Sequence, residues 1–119
     1  MENNKTKGNF GEELACEYIS KNGLKIIERN WRFGKAGEID IIAMDKNTLA
    51  FIEVKARTTK FFGHPLEAIT AHKIKQMQMV AQAYINQSEV KAKGYRFDAI
   101  SVILTNPPEI EHLKDIWQF

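Results

Sequence analysis

Residues 38–57, EIDIIAMDKNTLAFIEVKAR, restrict the fold more than any other stretch of this chain. Two runs of β-forming residues, 38–44 and 48–56, flank Asp45, Lys46 and Asn47, a spacing that predicts an antiparallel hairpin at the middle of the fold. Side chains two apart on a strand share a face. Glu53, Lys55 and Arg57 therefore project together, while Ile52, Val54 and Ala56 point the other way. A two-residue turn at Lys46 and Asn47 sets Asp40 opposite Glu53 and Glu38 opposite Lys55, all four on one face. Two carboxylates about 5 Å apart repel by roughly 3 kcal/mol at an effective dielectric of about 20, a sizeable part of the stability of a small domain. Lys55 supplies part of the positive charge such a pair demands. A divalent cation would supply more, because Mg²⁺ prefers carboxylate oxygens completed by water and phosphate.

The string EVK occurs a second time, at residues 89–91, between a long helical pattern and Gly94. There it falls in a polar connection that constrains neither charged side chain, so only the strand-borne copy is a candidate site.

Apolar spacing predicts the remaining elements. A helix covers 10–22, with Phe10, Leu14, Ala15, Tyr18 and Ile19 on one side and Gly23 as its stop. A strand follows over 24–33. Beyond the irregular TTKFFGHPLE, a helix over 70–87 is capped by Thr70 and turns Ile74, Met77, Ala81, Tyr84 and Ile85 inward. Residues 95–104 read as a buried strand ended by Pro107 and Pro108, and 109–117 as a short strand with a last turn of helix. The pattern is that of one α/β domain over 1–119 with a mixed central sheet, residues 1–8 forming a flexible tail. A length of 119 residues with 44% apolar content leaves room for one core.

No stretch approaches the roughly 18 consecutive apolar residues of a membrane span, and MENNKTKGNF lacks the apolar core of a secretory signal, so the expectation is a cytoplasmic protein with no membrane partner. A single cysteine, Cys16, rules out an internal disulfide, and His64, His72 and His112 show no ligand spacing; any metal would be held by oxygen. Charge is segregated along the chain. Residues 55–96 carry Lys55, Arg57, Lys60, Lys73, Lys75, Lys91, Lys93 and Arg96 against only Glu67 and Glu89. Such a basic half suits a phosphate-rich partner, although charge alone describes a solvated face equally well.

GEID at 37–40 followed by FIEVKAR at 51–57 resembles the active-site hairpin of the PD-(D/E)XK phosphodiesterase superfamily, the restriction-endonuclease-like fold. From GNFGEELA through RNWRFGKAGEID and EVKAR to YRFDAI, the chain resembles the YraN-like uncharacterised bacterial proteins (uncharacterised protein family 0102), which within that superfamily are similar to archaeal Holliday-junction resolvases. The resemblance implies an αβββαβ core flanked by helices. It makes Asp40 and Glu53 ligands of Mg²⁺ or Mn²⁺ with the Val54 carbonyl as a third, and Lys55 the catalytic lysine. Ile39 stands where the name-giving motif has proline, a position that mainly shapes the backbone. Resolvase-like relatives also carry a carboxylate on the first helix. Helical spacing puts Glu12 at the edge of the apolar face and Glu13 outward, so Glu12 is the candidate; a charge placed there for the helix macrodipole explains it equally well.

Arg57, Arg32 and Lys73 are candidate phosphate contacts, Arg57 the foremost. Phe61 and Phe62 suit base stacking or, more simply, packing. Arg96 and Asp98 share a strand face and suit an ion pair. The expectation is a metal-dependent endonuclease on branched or structured DNA, for which a homodimer would match a two-fold substrate. The alternatives are a binding module that does not cleave and a nuclease subunit of a larger complex.

Overall fold

In a computed structural model the described residues are 4–59, 67 and 69–118, with side chains described from residue 9 onward. The order is α1 (Asn4–Lys21), β1 (Lys25–Phe33), a 3-10 turn (Gly34–Ala36), β2 (Gly37–Asp45), β3 (Thr48–Arg57), α2 (Ala71–Gln87), β4 (Gly94–Ile103) and β5 (Glu109–Trp117). The five strands form one sheet in sequence order. All neighbours run antiparallel except β3 and β4, which are parallel because α2 carries the chain back across the sheet between them. This is the expected α/β architecture with a mixed sheet.

Alternation along β3 separates two cores. Ala50 and Ile52 pack with Ile41, Ala43, Ile100 and Val102 beneath Ala15, Cys16 and Ile19 of α1. Leu49 and Phe51 pack with Ile42 and Phe97 beneath Met77, Val80, Ala81 and Tyr84 of α2. The sheet is thus covered on both faces, which is why its central strands read as nearly continuous apolar runs. Thr70 caps α2 as expected, its hydroxyl accepting the Lys73 N–H at 3.1 Å.

Two boundaries differ from the sequence reading. Helix α1 begins at Asn4, so residues 4–8 of the expected tail continue the helix, while 1–3 lie outside the described residues. Residues 109–117 form a strand throughout, with no final turn of helix, because pairing to β4 overrides local preference. Among the described residues no helix is long and apolar enough to cross a membrane.

Candidate metal and phosphate site at a fork in the sheet

The hairpin has the register its turn length dictates, with Ile41 opposite Ile52 and Asp45 opposite Thr48 around Lys46, whose φ of 56° lies in the left-handed region of tight hairpin turns. Pairing between β2 and β3 nevertheless stops at Ile41 and Ile52. Beyond that point β2 stays bonded to β1 as far as Gly37, and β3 stays bonded to β4 as far as Arg57. The sheet forks there.

The cause lies in β1 and β2. Ile39 belongs to the α2-side core and Ile41 to the α1-side core, although residues two apart on a regular strand share a face. Alternation therefore breaks at Asp40. Asn30, between the two β1 residues that pair with Ile41 and Ile39, has φ 52°, a left-handed conformation that asparagine tolerates well. The kink swings the end of β2 away from β3. The Val54 N–H, left without a strand partner, donates instead to Asp40 Oδ2 at 2.8 Å. A residue's N–H and C=O face the same side of its strand, so the Val54 carbonyl faces the fork as well.

Glu53 sits at the crotch, 2% exposed. Its Oε1 is buried without a hydrogen-bond partner, while Oε2 lies 3.8 Å from Lys55 Nζ and 3.6 Å from Lys73 Nζ. Burial, then the charge of Asp40, push its carboxyl up to about 8 despite the two lysines. Glu12 reaches the same region from α1. Its carboxyl is raised first by burial and then by Asp40, and its Oε1 is also buried without a hydrogen bond, 3.7 Å from Arg29. Gly11 makes this approach feasible, since a Cβ there would lie 2.5 Å from the Ala56 Cβ. Glu13 is exposed and holds Arg29 at 2.7 Å, as the helical spacing places it.

Two buried carboxylate oxygens without donors and a site that raises its own carboxyl pKa values fit a hard divalent cation. Among the described residues no group of three or more His, Cys, Asp and Glu side chains is close enough to hold a metal. Asp40, Glu53 and the Val54 carbonyl, completed by water, would suit Mg²⁺, which retains several waters, with the unpartnered Glu12 oxygen at the margin of that set.

Other expectations change. Glu38 does not face Lys55, because the fork separates them; it pairs across β1 and β2 with Arg32, 3.7 Å away. Arg32 is therefore engaged at the rim. Lys73, expected as a surface phosphate contact, is instead at Glu53. Arg57 ends β3 on the face shared by Glu53 and Lys55. The basic half is less free than its count suggests, since Lys55, Lys73 and Arg96 all pair with carboxylates. In the second EVK, between α2 and β4, Glu89 and Lys91 are exposed and Val90 packs against the α2-side core. Phe61, Phe62 and His64 lie outside the described residues.

A sequence model of the uncharacterised protein family UPF0102 matches residues 11–102, which include the whole fork. The chain is 47% identical over 108 residues to a UPF0102 protein of Caldanaerobacter subterraneus, covering 91% of this chain and 87% of that one. It is 51% identical over 102 residues to one of Clostridium botulinum, with 85% and 82% covered, and 38% identical over 111 residues to one of Paenarthrobacter aurescens, with 92% and 91% covered. The chain accordingly belongs to the uncharacterised protein family UPF0102.

Proposed function

We propose that this chain is a divalent-metal-dependent endonuclease that hydrolyses phosphodiester bonds in DNA, favouring branched or unpaired regions. The observation that carries the reading is the fork itself: Asp40 and Glu53 are held together against their repulsion, one carboxylate oxygen lacks any donor, and Lys55 lies beside them. A structural role would not require two like charges in one buried gap. The resemblance of GEID and FIEVKAR to the PD-(D/E)XK hairpin supports the same assignment.

Bound at Asp40, Glu53 and the Val54 carbonyl, Mg²⁺ or Mn²⁺ would polarise the scissile phosphate and ease departure of its leaving oxygen. Lys55, from the same strand face as Glu53, orients the attacking water and offsets negative charge that develops on the phosphate. Arg57, two residues further along that face, positions the neighbouring phosphate. Glu12, partly buried and close enough for Asp40 to raise its carboxyl, stands at the margin of this site.

The ion pairs of Glu53 with Lys55 and Lys73 favour a second reading, a nucleic-acid-binding module whose carboxylates are neutralised by its own lysines. Labelled four-way junction, flap, single-stranded and duplex DNA, together with RNA, incubated with Mg²⁺, Mn²⁺ or chelator, separate the two. The nuclease reading expects metal-dependent nicking of branched or unpaired DNA, abolished by Lys55→Ala with binding largely kept and unchanged by Lys91→Ala. Salt-dependent binding of every substrate without cutting by either metal would leave the binding module.

A further inference from the structure

Two ammonium groups converge on one oxygen of Glu53. Lys55 reaches it from the same strand, and Lys73 from the first turn of α2 across the fork, at 3.8 and 3.6 Å. Oε1 of the same carboxylate has no partner, and the Asp40 carboxylate already accepts the Val54 N–H. With Glu53 ionised, as metal binding requires, the two negative charges of Asp40 and Glu53 are already matched by the two positive charges of Lys55 and Lys73. Adding a divalent cation then leaves two positive charges in excess within a few ångströms of one another, and they repel strongly in a gap largely withdrawn from water. Something must leave. The Lys55 side chain is 37% exposed, but its backbone lies in the central strand β3, in register with Ser101 of β4, and it leaves the same strand face as Glu53 only two residues away, so it stays beside the pair. Lys73 reaches Glu53 from the opening turn of a different element, α2, with part of its side chain in solvent, so a change of rotamer takes its ammonium out of the gap.

We propose that Lys73 is a resident counter-cation for Glu53, which the metal displaces and which then binds the phosphate of the substrate. This rests on the metal-dependent reading of the fork and adds to it an order of events: metal binding turns an inward ion pair into an outward phosphate contact. It also implies that metal and nucleic acid strengthen each other's binding, because a phosphodiester supplies the anion Lys73 has lost, and such coupling is reciprocal.

Competitive acylation of lysines by acetic anhydride, read by mass spectrometry on the whole chain, reports the displacement directly. On adding Mg²⁺, labelling of Lys73 should rise several-fold while that of Lys91 stays constant, and Asp40→Asn should remove the response. Lys73→Gln should bind Mn²⁺ several-fold more tightly than wild type in a direct titration, yet lose most of the gain in Mn²⁺ affinity that short single-stranded DNA confers on wild type. A wild-type protein that binds Mg²⁺, shown by a rise in melting temperature that Asp40→Asn abolishes, but leaves Lys73 labelling unchanged would overturn the displacement and keep the nuclease reading. Wild-type melting indifferent to both metals would remove the two together.

Discussion

Two buried carboxylates on adjacent strands of this sheet have opposite fates. Asp98 on β4 lies opposite Ile52, one residue from the position of Glu53 on β3, and both are essentially inaccessible to solvent. Asp98 accepts from Arg96 Nε at 3.0 and 3.2 Å, from the Asp115 N–H at 2.9 Å, and lies 2.8 Å from His112 Nε2. Those donors, led by His112 and then Arg96, overcome burial and hold its carboxyl below the usual carboxylate range. Glu53 has another carboxylate where Asp98 has donors, and its carboxyl rises to about 8. Equal burial thus gives opposite electrostatics, and the difference is whether the chain supplies the partners. Asp98 has its donors as folded, whereas Glu53 keeps one buried oxygen without any.

Removing the carboxylate that has its donors should have the largest effect. Asp98→Ala leaves Arg96 with only Asp45 and His112 without its partner, and should cost about 3–5 kcal/mol in urea unfolding. A loss under 1 kcal/mol would erase the contrast. The pH dependence has opposite sign at the two sites. Asp98, depressed in the folded state, stabilises the protein above its unfolded value near 3.8 and loses that contribution as pH falls through the lower folded value. Glu53, raised from 4.5 to about 8, stabilises fully below 4.5 and loses that contribution as pH rises through about 8. Metal-free protein should therefore weaken by a few kcal/mol between about pH 5 and pH 8, and Glu53→Gln should flatten that slope.

The next effect is smaller. Gly11→Ala should cost about 1–3 kcal/mol, because its Cβ would meet that of Ala56 and force α1 off β3. Asp40→Asn should gain about 1–2 kcal/mol without metal, since the Val54 N–H keeps its acceptor while the repulsion on Glu53 disappears, and the thermal response to millimolar Mg²⁺ should vanish.

The hairpin register, the Thr70 cap and the facing of Arg96 toward Asp98 were legible because each follows from spacing within one element or across one turn. The fork was not. It arises from a left-handed Asn30 in a strand that pairs with β2, and Asn30 does not stand out in the sequence because Glu28, Arg29 and Arg32 of the same strand are polar as well. The pairing of Glu38 with Arg32, and of Lys73 with Glu53, follows from that splay and was equally hidden. His112 shows no ligand spacing because its partner Asp98 is 14 residues away, brought close by the pairing of β5 with β4, which sets His112 opposite Ile100 on the face that Asp98 shares. The start of α1 before Phe10 was missed since residues 4–9 carry no apolar periodicity.

The titration of the Glu53 side-chain carboxyl by carbon NMR, with Asp98 as the internal reference, tests the account most directly. Without metal Glu53 should titrate near 8 and Asp98 below its ordinary range. With saturating Mg²⁺ the Glu53 transition should fall to the acid side of its ordinary value of 4.5 while Asp98 does not move. A Glu53 that titrates normally without metal, or one whose transition stays near 8 in saturating Mg²⁺, would contradict the claim that this fork is built for a divalent cation.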